Sequence, residues 1–241
     1  MRISFSILIL AILLAGAGCE DKKSKVKEES IQTVEKKADS SEADKAKAQN
    51  EKLKTKAGSI IESQAELIPF LTAYGKRNPE TRVRIKTEFG DIEVELFKDT
   101  PLHRANFILL VKQNYFDNTM IHRNSPNFVV QGGNSDGYET PKKRQRIGNY
   151  LIPNEASSSH THVRGAFSAA KYLEQNISDA SSPFEWFIVQ PARGGHHLDG
   201  EHTVFGRVTK GMNVVDQINK VEVDENEWPL KNIYIDIELM D

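Results

Sequence analysis

The segment IHRNSPNFVVQGG, residues 121–133, carries one arginine just before a short apolar strand that ends in two glycines. The apolar residues 128–130 indicate a buried strand, and Gly132 and Gly133 predict a tight turn or a close approach of the backbone. Arg123 is therefore expected to border a dry surface, where its five fixed donors can hold a carbonyl or an amide. The alternative is an arginine at the end of a barrel, paired with a carboxylate.

Short strands are predicted within this segment and on both sides of it. Residues 83–96 alternate apolar and charged side chains around a Phe-Gly-Asp turn, which is typical of a hairpin with one buried face. Five more strands are predicted, at 127–131, 165–169, 186–190, 203–208 and 232–239. Because only two helices accompany these strands, the pattern favours a closed antiparallel barrel, in which closure removes the exposed edges.

One of these helices is predicted to begin at Thr100 and Pro101, since threonine is a good cap and proline suits the first helical position. The other is predicted at 211–220. Ahead of the strands, residues 59–74 place apolar side chains, Ile68 among them, near one helical face. Pro69 interrupts that stretch and predicts a kink or a division into two short helices.

Four ordered blocks of the chain resemble the cyclophilin family. The first is the segment 121–133, and the others are GAFSAAK (165–171), EWFIV (185–189) and LDGEHTVFGRVTKGMNVVDQI (198–218). The resemblance implies a mainly β fold, a closed eight-stranded antiparallel barrel capped by two helices, preceded by a helical or disordered N-terminal extension. It also implies a peptidyl-prolyl cis-trans isomerase, which acts on X-Pro bonds.

The resemblance assigns roles to individual residues. Arg123 matches the family's catalytic arginine, the expected hydrogen-bond donor to the proline nitrogen while the bond twists. Gln131 matches a glutamine that contacts the substrate backbone and helps to orient the arginine. The implied substrate-binding residues are Phe128, Val129, Gln131, Ala170, Lys171, Glu185, Phe187, His197, Leu198 and His202.

Several positions depart from the family pattern. Glu185 stands where a second glutamine is usual, and its carboxylate is expected to pair with Arg123 and either to position it or to occupy it. Lys171 replaces an asparagine, His197 replaces a tryptophan found in many eukaryotic relatives, and the loop 172–182 is longer than usual. The carboxylate and the long loop leave an alternative function open, that of a non-catalytic chaperone module that binds proline peptides.

The N-terminus has the features of an export signal. Arg2 precedes an apolar run over residues 3–14, which is shorter than the roughly 20 residues that a spanning helix needs. Small residues then lead to Cys19, the single cysteine, and this arrangement resembles a bacterial lipoprotein signal that is cut before an acylated cysteine. Gly16 departs from that motif, which usually has leucine there. The alternative is an ordinary secreted protein with an unused thiol.

The predicted domains follow from these patterns. Residues 1–18 are the lipoprotein signal, and 19–58 form a charged tether with too few apolar residues to fold. Residues 59–80 form a short helical segment and linker, and 81–241 form the isomerase domain. The expected location is the cell envelope, with the protein anchored by lipid on Cys19 to a membrane outside the cytoplasm.

Composition argues against other functions. The net charge is only -2 and there is no basic stripe, so nucleic-acid binding is not expected. Neighbouring histidines occur at His160 and His162 and at His196 and His197, but no cysteine or carboxylate follows at a metal-motif spacing. We therefore expect no metal and no cofactor. Proline-containing polypeptides are the expected partners of a monomer.

Overall fold

Eight antiparallel strands close into a barrel in the computed structural model, which describes residues 58–172 and 178–240. Their order around the barrel is β1, β2, β7, β5, β6, β4, β3, β8, and β8 pairs with β1 to close it. The strands are β1 (Arg82–Thr87), β2 (Gly90–Leu96), β3 (Thr119–Ser125), β4 (Val129–Asn134), β5 (Ala166–Ala169), β6 (Trp186–Val189), β7 (Val204–Lys210) and β8 (Ile233–Leu239). The barrel expected from the sequence is confirmed.

The predicted signal at 1–18, Cys19 and all but the last residue of the tether at 19–58 lie outside the described residues. So does the middle of the loop 172–182. These assignments therefore stay predictions. Within the described part of the chain, no helix has the length and apolar character needed to cross a bilayer.

Within the described residues, four α-helices accompany the barrel, α1 (Gln64–Arg77), α2 (Pro101–Lys112), α3 (Glu139–Ile147) and α4 (Met212–Ile218). The two predicted from the sequence are α2 and α4. Helix α1 begins later than expected and runs through Pro69 as one helix, so the predicted division into two is wrong. Burial of Leu67 and Leu71 on either side of the proline offsets the one backbone hydrogen bond that it removes. Helix α3 was not predicted, because its polar sequence ETPKKRQRI shows no apolar stripe.

The N-terminus of α2 is capped from a distance. Thr100 is the cap residue and Pro101 follows it, as predicted, but the threonine side chain makes no capping hydrogen bond. Instead the carboxylate of Glu155 accepts hydrogen bonds from the backbone N–H groups of Leu102, at 3.0 Å, and His103, at 2.9 Å. A negative charge at this end of a helix is favourable. A residue from a loop far along the chain therefore supplies the cap.

Residues 59–80 pack against the barrel domain through α2. The buried guanidinium of Arg104 joins the two segments, donating at 2.9 to 3.1 Å to the backbone carbonyls of Gly75, Asn78 and Glu80. The described part of this segment is thus tied to the domain that follows it. The predicted apolar face is wrong in one respect, since Ile68 is 50% exposed on the outer side of α1.

Strand β3 was missed by the sequence reasoning. Six of its seven residues are buried, so both of its faces are covered and the alternation that marks a half-exposed strand is absent. Arg123 lies within β3 and is paired across the sheet with Gln131 of β4. The sequence had placed Arg123 just before the strand at 127–131 and had not assigned it to a strand of its own.

The paired glycines lie inside β4, so the predicted turn is wrong and the predicted close approach is confirmed. A Cβ atom on Gly132 would lie 2.7 Å from the ring of Trp186. One on Gly133, whose φ is +97°, would lie 2.2 Å from the carbonyl oxygen of Phe184. The two glycines therefore let β4 lie close to β6 and to the residues just before it.

Gly133→Ala is expected to lower the free energy of unfolding by about 2 kcal/mol more than Gly200→Ala does. Gly200 is the matched control, because its φ of +85° is similar but a Cβ there would meet nothing within 4 Å. Both variants carry the strain of a left-handed residue, and only Gly133→Ala adds the clash. Urea denaturation followed by circular dichroism measures both. Equal losses of stability in the two variants would show that the backbone around Gly133 shifts to accommodate the added Cβ atom at no cost in free energy.

Candidate active site

A cavity of about 360 Å³ opens on the outer side of the barrel, where β3, β4 and β6 are neighbours. Nine of the eleven residues predicted for the site line it, namely Arg123, Phe128, Val129, Gln131, Ala170, Lys171, Phe187, Leu198 and His202. The other two, Glu185 and His197, are not in its wall. Residues distant in the sequence are thus brought to one surface.

Strand register explains how three of these side chains meet. Arg123 is paired with Gln131 across β3 and β4, and Gln131 is paired with Phe187 across β4 and β6. Residues directly opposite each other in antiparallel strands point to the same face, with Cβ atoms roughly 5 Å apart. The cation, the amide and the aromatic ring therefore form one row across three strands.

The floor of the cavity is a small apolar cluster, separate from the barrel core. Phe187 is almost fully buried in it, with the ring of His162 stacked at 5.9 Å and that of His202 edge-on at 5.5 Å. At the rim, the exposed ring of His197 stacks on Phe128 at 5.2 Å. His197 is therefore placed behind a wall residue, and Phe128 is held in place by it.

Arg123 borders the cavity with a side chain that is 37% exposed. Its Nε donates to the Oε2 atom of Glu227 at 2.7 Å, and its Nη1 donates to the Oε1 atom of Gln131 at 3.4 Å. Arg123 is therefore paired with a carboxylate, as the alternative of a barrel-end arginine expected. The same arginine also lines the cavity together with Phe187 and Leu198.

Glu185 lies behind Gln131, and the expectation that it pairs with Arg123 is wrong. Its side chain is 11% exposed and accepts hydrogen bonds from Nη2 of Arg144 at 3.0 Å and from Nε2 of Gln131 at 3.2 Å. Nε2 of His122 lies 3.4 Å from it. The carboxylate sits on the far side of the glutamine, because Arg144 of α3 supplies its counter-charge there.

This arrangement decides which way the amide of Gln131 faces. An ionised carboxylate only accepts hydrogen bonds, so the amide nitrogen must turn towards Glu185 and the amide oxygen towards Arg123. Burial raises the pKa of Glu185, but the hydrogen bond and charge of His122 and the charge of Arg144 outweigh it, and the pKa lies below its ordinary value. Glu185 therefore stays ionised and keeps the amide in that orientation.

The histidines around the cavity are not placed for proton transfer. His202 donates through Nδ1 to the carbonyl of Ala169 at 3.0 Å, and burial lowers its pKa. His162 is fully buried, and burial lowers its pKa as well. Its Nδ1 lies 2.7 Å from Asp199, whose pKa falls to about 2 because hydrogen bonds from His162 and His196 outweigh the opposing effect of burial. Both rings are therefore neutral near pH 7.

Two serine–histidine–carboxylate rows occur nearby. Ser168, His162 and Asp199 form one, and both the serine and the histidine are fully buried. The other joins Ser181, His103 and Glu155 in the same way. Neither serine can reach a substrate, so both rows are internal hydrogen-bond networks. Among residues 58–172 and 178–240, no group of three His, Cys, Asp or Glu side chains is arranged to hold a metal ion.

Lys171 lines the cavity with a side chain that is only 5% exposed. It donates to the carboxylate of Asp179 at 2.9 Å, and Glu201 lies 3.9 Å away. These carboxylates balance the buried charge. The lysine that stands in place of the family's asparagine is thus paired with Asp179, which lies in the same loop after β5.

Comparison with known proteins agrees with this geometry. The chain matches the family described as "Cyclophilin type peptidyl-prolyl cis-trans isomerase/CLD" over residues 82–238. The chain belongs to this family. The enzyme class expected from the sequence, peptidyl-prolyl cis-trans isomerase, is thereby confirmed.

Individual cyclophilins are similar over most of the domain. A peptidyl-prolyl cis-trans isomerase of Acinetobacter baylyi is 36% identical over 146 residues, which cover 58% of this chain and 73% of that protein. The peptidyl-prolyl cis-trans isomerase-like 2 of Rhizopus delemar is 36% identical over 164 residues, which cover 67% of this chain and 29% of that longer protein. A Cryptosporidium parvum cyclophilin crystallised in the presence of the dipeptide Ala-Pro aligns with a TM-score of 0.56 and 26% identity, covering 66% of this chain and 99% of that one.

Three residues that shape the site of this cyclophilin were missed by sequence reasoning: Glu227, Arg144 and His122. Glu227 lies in the loop between α4 and β8, outside the four blocks that carry the family resemblance. Arg144 lies on the unpredicted helix α3, in a run of basic residues that is typical of a solvated face. Only His122 had a signal, its place beside Arg123 in the first block.

Proposed function

We propose that this cyclophilin isomerises X-Pro bonds in exported proteins and so assists their folding outside the cytoplasm, anchored to a membrane by lipid on Cys19. The observation that carries the proposal is the shared cavity, which is lined by Arg123 together with the apolar residues Phe187 and Leu198. A relative crystallised with Ala-Pro supports a proline peptide as the ligand.

The proposed chemistry needs no covalent step. The barrier of about 18–20 kcal/mol comes from amide resonance, and in the twisted state the proline nitrogen becomes pyramidal and can accept a hydrogen bond. Arg123 donates to that nitrogen, where its charge acts in a poorly hydrated site. The apolar wall of Phe128, Phe187 and Leu198 grips the proline ring while the preceding carbonyl turns.

Each supporting residue has a defined part in this proposal. Gln131 presents its amide oxygen to Arg123, because Glu185 holds the amide nitrogen. His202 packs edge-on against Phe187 and keeps the ring in place. Lys171 and Ala170 form the wall next to Gln131. The alternative of a non-catalytic proline-peptide binder rested on Glu185 and on the long loop 172–182. Glu185 pairs with Arg144 and not with Arg123, whereas the middle of the loop lies outside the described residues.

Export and anchoring are inferred from the N-terminal sequence. A positively charged residue, an apolar run and small residues before Cys19 resemble a lipoprotein signal. One acyl chain gives only reversible membrane binding, whereas the several chains of a lipoprotein anchor give lasting attachment. A folding catalyst held in this way meets its substrates as they leave the membrane.

The proposal predicts that the chain expressed in a bacterium fractionates with membranes and takes up labelled palmitate, and that Cys19→Ser abolishes both. Because Cys19 is the only cysteine, the label reports on one residue. A variant that adds Ser24→Cys to Cys19→Ser is the control, and it should stay unlabelled because its thiol lies outside the signal.

Wild-type protein should also catalyse exchange in an Ala-Pro peptide measured by NMR. A labelled but inactive protein would contradict the proposed activity. An active but unlabelled protein would contradict the proposed lipid anchor.

A further inference from the structure

Arg123 is held from the side opposite Gln131 by a carboxylate that the family resemblance did not reveal. The Oε2 atom of Glu227 accepts a hydrogen bond from Nε of Arg123 at 2.7 Å, whereas Gln131 reaches Nη1 only at 3.4 Å. A charge-assisted hydrogen bond of the shorter length is the stronger of the two. Glu227 is thus the closer and stronger partner of the arginine in the described part of the chain.

Glu227 itself is fixed by several contacts to β3. Its Oε1 atom accepts from the hydroxyl of Ser125 at 2.5 Å, and its backbone carbonyl accepts from the N–H of Asn124 at 2.7 Å. The carboxylate therefore bridges two side chains of the same strand, Arg123 and Ser125. Such bridging leaves it little freedom to turn away.

The backbone of the loop is also arranged to present this side chain. Glu227 has a φ of +62°, in the left-handed region that residues with a side chain rarely adopt. Asp224 holds the turn, because its carboxylate accepts from the N–H groups of Asn226 and Trp228 at 2.8 Å and its carbonyl from that of Glu227 at 3.0 Å. Strained residues persist where the surroundings determine them, and they cluster at functional sites.

We propose that Glu227 is a positioning residue, which holds the guanidinium of Arg123 over the cavity so that its remaining N–H groups point at the proline nitrogen. The inference rests on the proposed catalytic role of Arg123. With Nε bound to Glu227 and one Nη1 proton directed at Gln131, the other N–H groups are left for a substrate. A free arginine side chain samples many rotamers, so holding it in one raises the fraction of productive encounters.

The test compares Glu227→Ala, Glu227→Gln and Glu225→Ala in the full chain, with kcat and KM measured for an Ala-Pro peptide by NMR exchange. Glu227→Ala should lower kcat by about tenfold to a hundredfold, since a displacement of about 1 Å has effects of that size. KM should stay within about twofold, because the apolar wall is unchanged. Glu227→Gln should retain most of the kcat, as its amide oxygen can still accept from Nε. Glu225 is exposed in the same loop, and its removal should change neither constant.

A double-mutant cycle separates positioning from a general effect on the fold. In an Arg123→Ala background, Glu227→Ala should cause no further loss, because the residue that it acts through is gone. The Nε–H signal of Arg123 in 15N spectra gives a readout that does not depend on activity, and it should move and exchange faster in Glu227→Ala only. An unchanged kcat in Glu227→Ala, or an additional loss in the Arg123→Ala background, would overturn the proposal. An inactive wild type with an intact Nε signal would instead contradict the catalytic role of Arg123.

Discussion

Arg123→Ala is expected to lower kcat/KM for cis–trans exchange by about a hundredfold to a thousandfold, the usual effect of removing one hydrogen-bond donor that stabilises a transition state. The apolar wall of the cavity remains, so a proline peptide should still bind. The loss should therefore appear in kcat and leave KM nearly unchanged. Exchange spectroscopy on an Ala-Pro peptide, with peptide binding measured by titration, checks both expectations.

Two further variants sharpen this test. Arg123→Lys keeps the positive charge but loses the planar guanidinium with its fixed N–H donors. A lysine cannot hydrogen-bond to Glu227 and to the substrate in the same geometry, so most of the loss in kcat should persist. Arg207→Ala is the matched control, because Arg207 is an exposed strand residue paired with Glu95 on the barrel surface. Wild-type rates in Arg123→Ala would remove the basis of the proposed chemistry.

Arg144→Met is expected to lower the free energy of unfolding by about 3 kcal/mol, because it removes the guanidinium that pairs with the buried carboxylate of Glu185 and leaves only His122 beside it. Arg144 also donates through Nε to the hydroxyl of Tyr115 at 3.0 Å, and its guanidinium lies over the ring of Phe184. Arg146→Met is the matched control, since Arg146 is exposed on the same helix. Urea denaturation measures the three proteins side by side.

The ion pair of Arg144 and Glu185 should show energetic coupling, and its contribution to the free energy of unfolding should depend on pH. Adding Glu185→Gln to Arg144→Met should recover part of the loss, since no buried charge remains. The folded-state pKa of Glu185 is lowered, so its contribution to stability is present above the unfolded value of about 4.3 and is lost as the pH falls through the folded value. The stability difference between wild type and Glu185→Gln should therefore shrink on acidification below that point. Additive losses or a difference independent of pH would contradict the ion pair.

Glu185 also shows where sequence reasoning stops. The sequence identified it as a departure from the family pattern, and the chemistry of a carboxylate correctly excluded a donor role. Its partner could not be predicted, because Arg144 lies on a helix with no apolar stripe and reaches the site only through the tertiary fold. The predicted pair with Arg123 was therefore wrong, although the residue mattered.

The residues of the cavity wall could be predicted more completely than the strands that carry them. The family resemblance assigned Phe128, Phe187 and Leu198 to the site, while β3 was missed because burial on both of its faces hides the alternation. Thr100 was correctly predicted as the cap residue of α2, but the side chain that accepts the capping hydrogen bonds was not predicted. Glu155 lies far along the chain, and sequence spacing alone does not show that it reaches Leu102.

Apolar periodicity and cap signals indicated a closed antiparallel barrel and the helices α2 and α4, because these signals act within a few residues of the chain. The number of strands and the candidate cavity residues followed from the resemblance of four short blocks to the cyclophilin family. Only the tertiary structure decided how the charges pair. Glu227 meets Arg123, Arg144 meets Glu185 and Lys171 meets Asp179. A charge is satisfied by whichever partner the closed barrel brings within about 3 Å, and separation along the sequence sets no limit on that partner.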